Sequence, residues 1–345
     1  MSCVAVHPKP VPEIVACRQE DFRVVSGSTQ LRAGVIGAGV FGRLHAQKYA
    51  KAPGVRLIGI ADAHGERAVD AAHAHGVGAF TRIDDLLAEV DVVSVATPAV
   101  THALVAKRCL DAAKHVYLEK PIAVREEDAD ELVALAERQG CVLHIGHQER
   151  LVLAATGLLE RKAAPIVIES VRAGPFSGRA TDVSVVLDLM IHDIDMVQLL
   201  AQSAVTAIKA SERAGPGGHS DEVEAELSLQ SGCRVRLMAS RDSKERRRTM
   251  RVVYPDGEVV IDFLSRTVKN STPDTLPELF SNGVPVSPDL ADPLGASVAR
   301  FLATVRGEGA PLLMPTEARA ALVTANQILA AAAGRQAAQG KLIPA

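Results

Sequence analysis

At 345 residues, 48% of them hydrophobic, the chain is long for a single core, and two domains are the default expectation. A formal net charge of −3, 3% aromatic residues and no Trp give no electrostatic or stacking reason to bind nucleic acid or an anionic membrane surface. Five scattered cysteines without a C-x-x-C pair read as reduced thiols, and no apolar run is long enough for a membrane span. The opening "MSCVAVHPKPVPEIVACRQEDF" has no signal-peptide centre, so a cytoplasmic protein is expected, with residues 1–30 a loose extension.

From residue 31 the chain alternates short apolar runs with helical segments. "RAGVIG" reads as a strand that stops at glycine, and "GRLHAQKYA" continues as helix to Pro53. "VRLIGIAD" is a second buried strand and "GERAVDAAHAHG" a helix with a glycine stop. "DVVSVATP" is a third strand, after which Thr101 reads as the N-cap of "HALVAKRCLDAAKH". "HVYLEKP" and "CVLHIGHQ" give two more strands around the helix "REEDADELVALAERQG". Strands spaced by helices of this length predict a doubly wound parallel sheet over 31–147.

The rhythm then changes. "ERLVLAATGLLERK" reads as a helix, "IVIESVRAG" as a strand and "VVLDLMIHDIDMVQLLAQ" as one long helix. "VTAIKASERAG", "EVEAELSLQ", "CRVRLMASR", "RTMRVVYPDG" and "EVVIDF" follow, alternating and joined by turns, the pattern of an antiparallel sheet. "DPLGASVARFLATVRG", capped by Asp292 with Pro293 in its first turn, and "TEARAALVTANQILAAAAG" are closing helices. The expected architecture is α/β: a Rossmann domain over 31–147, then an α+β domain over 148–345 with a large, mainly antiparallel open sheet.

Gly37-x-Gly39-x-x-Gly42 follows a strand and opens a helix, the context a dinucleotide fingerprint requires. Gly37 permits the turn, Gly39 the approach of a pyrophosphate, and Gly42 close helix packing, with Ala38, Val40 and Phe41 completing the loop. Asp62 stands at the end of the second strand, twenty residues after Gly42. A carboxylate there hydrogen-bonds ribose hydroxyls and repels a 2′-phosphate, which favours NAD over NADP. Thr97, Pro98, His102, Glu119, Lys120 and Gln148 follow later strand ends, where ligands bind in open α/β sheets, and join the expected cofactor set. Asp188 and His192 stand four apart in an apolar helical segment and share one face, a carboxylate–imidazole pair suited to general base work. His144 and His147 lack a third ligand, and no metal site is expected. Arg150, Arg172 and Arg179 surround the proposed cleft and suit a diphosphate held by guanidinium forks, whereas "RDSKERRRTMR" reads as a solvated strand face.

"GVIGAGVFGRLHA", "VSVATPAVTH", "LEKPIA" and "LDLMIHDID" occur in an order that resembles the glucose–fructose oxidoreductase/inositol dehydrogenase/MocA family. The resemblance implies a catalytic group of Lys120, Asp188 and His192. His192 would take a proton from a sugar hydroxyl while hydride leaves for NAD, Lys120 would stabilise the developing alkoxide, and Asp188 would orient substrate and lysine. "IGHQERLVLA" and "SVRAGPFSGRATDVSVVLDLMIHDID" resemble the nucleotide-sugar dehydrogenases of this family, which act on UDP-N-acetylhexosamines. They imply oxidation of a 3-hydroxyl by a homodimer or homotetramer, with Arg150, Arg172, Arg179 and the catalytic group contacting substrate. Three alternatives stay open: a polyol or free-monosaccharide dehydrogenase, an NAD-retaining glycoside hydrolase, and a non-catalytic NAD-binding regulator.

Overall fold

The structure, a computed structural model, describes residues 30–178, 180–281 and 284–340. Residues 1–29, where the extension is expected, and Arg179 lie outside the described residues. The chain forms two compact units, one holding residues 30–148 and 292–319, the other 149–291 and 320–340.

The first unit runs β1 (Leu31–Ile36), α1 (Val40–Lys51), β2 (Val55–Ala61), α2 (Gly65–His73), β3 (Gly78–Phe80), α3 (Ile83–Leu87), β4 (Val92–Val95), α4 (His102–Asp111), β5 (His115–Leu118), α5 (Glu126–Gln139) and β6 (Leu143–Ile145). Its six strands are parallel, in the order β3-β2-β1-β4-β5-β6. Every side chain of β4 and β5 is buried, which is why these strands read as unbroken apolar runs rather than alternating ones. Helix α5 opens on Glu126, Glu127 and Asp128, carboxylates that suit the positive end of its dipole. β3 and α3 were not anticipated, because three and five residues are too few to show a period. Thr101 precedes α4 but does not cap it: its hydroxyl lies 2.7 Å from the Pro98 carbonyl and 2.9 Å from Thr97 Oγ1.

The second unit contains α6 (Glu149–Ala155), β7 (Val167–Ala173), α7 (Ile191–Ala201), β8 (Val205–Ala214), β9 (Ser220–Leu229), β10 (Arg234–Ser240), β11 (Arg247–Tyr254), β12 (Gly257–Asp262), β13 (Thr267–Asn270) and α8 (Pro288–Ala291). Its seven-stranded sheet has the order β13-β12-β11-β7-β10-β9-β8, antiparallel throughout except for β7 against β10. One face buries Ile168, Val223, Leu237, Val252 and Ile261; the other carries ion pairs such as Arg251 with Glu169 and Glu258. The expected helix over 149–162 stops early, because Gly157 at φ +74° turns the chain into a short 3-10 segment, Leu158–Glu160. The expected long helix over 185–202 begins as a π turn, Val186–Met190, before α7 takes over.

The segment 292–319 packs with the first unit, unlike a single cut near residue 148. It carries α9 (Pro293–Val305), while α10 (Pro315–Gly340) closes the chain. Asp292 caps α9 by accepting from the Gly295 N–H at 3.0 Å, and Lys48 of α1 pairs with the same carboxylate at 2.7 Å. Phe301 meets Tyr117 edge to face with centroids 5.8 Å apart, and Ser297 Oγ lies 2.9 Å from the Tyr117 hydroxyl. Val298, Phe301, Leu302 and Val305 join Val35, Tyr49 and Tyr117 in one buried cluster. Each such large apolar side chain contributes about 1.5–3 kcal/mol on burial, enough to fix the helix there.

Candidate active site

The glycine loop lies between β1 and α1. Gly37 has φ +99°, and a Cβ there would meet the Ala96 carbonyl oxygen at 2.5 Å. A Cβ on Gly42 would collide with the Gly37 carbonyl oxygen, so turn and helix touch backbone to backbone. Gly39 differs: a Cβ there would meet nothing within 4 Å. Its lack of a side chain leaves open space beside the first N–H groups of α1, which have no partner within the helix. That is a cradle for a diphosphate, and Val40 and Phe41 beside it are exposed.

Asp62 immediately follows β2. One carboxylate oxygen accepts the Ala38 N–H at 2.7 Å and the other the His64 N–H at 2.8 Å. Each oxygen keeps a second lone-pair direction for a hydroxyl donor. The carboxylate therefore stands fixed against the glycine loop.

Lys120 belongs to the loop after β5, joined to Pro121 by a cis peptide bond. This loop is held from two sides. Glu119 is 7% exposed, and its Oε1 lies 2.8 Å from His45 Nε2 and accepts the Gln148 amide at 3.1 Å. A carboxylate only accepts, so His45 donates from Nε2, and its Nδ1 lies 2.9 Å from Ser94 Oγ. Ser94 Oγ is in turn 2.8 Å from the hydroxyl of Tyr49, whose pKa burial holds above its ordinary value. On the other side His102 places Nδ1 2.8 Å from the Pro121 carbonyl and Nε2 2.9 Å from that of Thr97. The ring is 1% exposed, burial holds its pKa below the ordinary value, and it lies between the carbonyls of the two strand-end loops. His45 went unrecognised in the sequence. A histidine on the buried face of α1, three residues after Gly42, was the available signal.

In the second unit Asp188 lies in the π turn and His192 in the first turn of α7. π turns inside α-helices cluster at functional sites. Around them the acidic side chains are matched by arginines. Arg150 is 5% exposed and grips Asp195 with Nε at 2.8 Å and Nη2 at 2.6 Å. Arg172 is 2% exposed and holds both Asp193, at 3.0 and 2.9 Å, and Glu149, at 2.7 Å from Nη1. Burial opposes the Arg172 charge, but the two carboxylates outweigh it and hold its pKa above the ordinary value. Both guanidinium groups are thus paired with carboxylates, Arg150 with Asp195 and Arg172 with Asp193 and Glu149. The run 241–251 also divides: Arg247 and Arg248 are exposed, but Arg241 is 5% exposed and paired with Asp221. Among the described residues no group of three or more His, Cys, Asp or Glu is placed to hold a metal ion. No helix among them is long and apolar enough to cross a membrane.

A six-stranded parallel sheet with a glycine cradle and an acidic residue fixed at the end of β2 is the architecture of a dinucleotide-binding Rossmann domain. The sequence pattern described as an oxidoreductase family with an NAD-binding Rossmann fold matches residues 31–147, and the GFO/IDH/MocA C-terminal domain matches 169–260. The chain belongs to the GFO/IDH/MocA family. It is 39% identical over 239 residues to UDP-N-acetylglucosamine 3-dehydrogenase of Acidithiobacillus ferrooxidans, a match covering 69% of this chain and 76% of that protein. The solved structure of that enzyme superposes with a TM-score of 0.79 at 34% identity over 88% of this chain and 97% of that one. Inositol 2-dehydrogenase of Rhizobium meliloti is 27% identical over 228 residues, 61% of this chain and 69% of that protein. A Bordetella pertussis dehydrogenase solved with NADH and UDP-GlcNAcA shares the fold, with a TM-score of 0.77 at 18% identity over 90% of this chain and 97% of that one.

Proposed function

We propose that the protein oxidises the 3-hydroxyl of a UDP-N-acetylhexosamine with NAD. The likeness to a UDP-N-acetylglucosamine 3-dehydrogenase at 39% identity carries this reading, supported by an E-K-P loop and a D-x-x-x-H helix in one chain. The Gly39 cradle and the Asp62 carboxylate fit the cofactor. Gly37 to Gly42, Asp62, Thr97, Pro98, Glu119, Lys120 and Gln148 would hold it. NAD, when bound, supplies the hydride acceptor. His192, as neutral imidazole, takes the hydroxyl proton, Lys120 offers its ammonium to the oxygen as negative charge develops, and Asp188 orients the reacting groups. A cytoplasmic location belongs to the same reading, supported by the free thiols of Cys109, Cys141 and Cys233. So does a homo-oligomer, which light scattering would detect.

The pairing of Arg150 and Arg172 with carboxylates favours one second reading, a polyol or free-sugar dehydrogenase that needs no diphosphate clamp. Purified protein with NAD and UDP-N-acetylglucosamine, beside UDP-glucose, myo-inositol and glucose, decides between them by absorbance of NADH. Formation with the acetylated nucleotide sugar alone is expected; formation with myo-inositol or glucose alone overturns the nucleotide-sugar reading.

Cofactor preference has its own test. Replacing Asp62 with Ser removes the acceptor for ribose hydroxyls and the charge that repels a 2′-phosphate. The kcat/KM ratio of NAD to NADP is expected to fall on the order of ten- to a hundredfold, given about 1–3 kcal/mol for the lost partner. An unchanged ratio would remove Asp62 from the ribose site.

A further inference from the structure

The D-x-x-x-H segment is fastened by a residue outside the catalytic set. Arg241 follows β10 at the sheet end and is 5% exposed. Its Nε donates to Asp221, its Nη1 to the Ala180 carbonyl at 2.5 Å and its Nη2 to the Val183 carbonyl at 2.7 Å. Nη1 also stands 4.0 Å from Asp188 Oδ2. Asp221, 1% exposed, accepts the Gly217 N–H at 2.5 Å, so the arginine's anchor is itself fixed. The carbonyls that Arg241 holds belong to the loop leading into the π turn. Asp188 is tied to the same point, its N–H donating to the Ser184 carbonyl at 3.0 Å.

We propose that Arg241 is a positioning residue: its guanidinium fastens residues 180–183 to the end of the sheet and thereby sets the carboxylate of Asp188. The inference rests on the reading of Asp188 as part of the catalytic group. A planar fork is required, because two carbonyls and two carboxylates lie around one cation in different directions, and an ammonium on a flexible stem cannot address them together. The buried carboxylate of Asp221 balances the charge, so the cluster tolerates burial.

The arrangement also dictates the variants. Arg241→Met alone strands Asp221 as a buried charge and measures little beyond that loss. Arg241→Met with Asp221→Asn removes both charges and isolates the positioning role. The double variant is expected to keep its melting temperature within a few degrees of the parent and its NAD dissociation constant by titration calorimetry. Its kcat/KM for the sugar substrate is expected to fall about 100-fold, with kcat lower and KM higher, the scale of a misplacement near 1 Å. Arg241→Lys is expected to recover only a small part of this loss, since it restores charge without the fork. Asp188→Asn is the reference. If it loses turnover while the double variant keeps kcat/KM within about threefold, Arg241 is only structural and the inference is overturned. If Asp188→Asn itself turns over at the parental rate, the catalytic reading of Asp188 falls and the inference with it.

Discussion

Replacing Lys120 or His192 with Ala is expected to lower kcat by about 100- to 10,000-fold, the range of a lost general acid or base. The protein should still fold. Lys120 stands in a loop held independently by Glu119 with His45 and by Pro121 with His102, and none of those bonds uses the lysine ammonium. His192 lies on a helix whose packing comes from Ile191, Ile194 and Met196. NAD affinity, read by titration calorimetry, should change far less than kcat. Combining the two substitutions should cost much less than the product of the single effects, because groups acting on one proton transfer fail together. Near-parental turnover in both single variants would refute the catalytic assignment.

Arg172→Met is expected to act on stability. It removes the cation between Asp193, 1% exposed, and Glu149, and leaves a buried carboxylate without its counter-charge. Breaking such a pair from one side costs about 3–5 kcal/mol, which lowers the melting temperature on the order of ten degrees. Arg172→Met with Asp193→Asn should recover much of it. A single variant that melts like the parent would show that water or a side-chain rearrangement rescues Asp193. The prediction separates two views of Arg172, since a substrate ligand at the same position would leave melting of the free protein nearly unchanged.

The first unit was the more legible in sequence, for physical reasons. Its strands β4 and β5 are buried on both sides and its helices fill the intervals, so a parallel sheet and the glycine cradle follow from spacing. β3 escaped because Gly78–Phe80 is too short to carry a period. In the second unit the π turn at 186–190 inserts one residue's worth of rotation that hydrophobic pattern alone does not register. The carboxylate partners of the arginines were not legible because formal charge is the same whether a fork faces solvent or a carboxylate. The partners of Arg150 and Arg172 stand 45 and 21 residues away. Asp193 and Asp195, in a segment that is otherwise apolar, were the clue that cations had to be nearby. Arg241 was legible in principle: Val235, Leu237 and Ala239 are buried, and position 241 continues their alternation into the interior.

The return of residues 292–319 to the first unit has a consequence during synthesis. A ribosome emits the chain from one end, so the sheet β1–β6 is complete at residue 145, while Phe301 and Ser297, which cover Tyr117, are still unmade. At about 5–20 residues per second, the wait lasts on the order of ten to thirty seconds. Throughout that interval Tyr117 lacks the partners that Phe301 and Ser297 give it, and the arrival of residues 292–319 decides when the first unit can close.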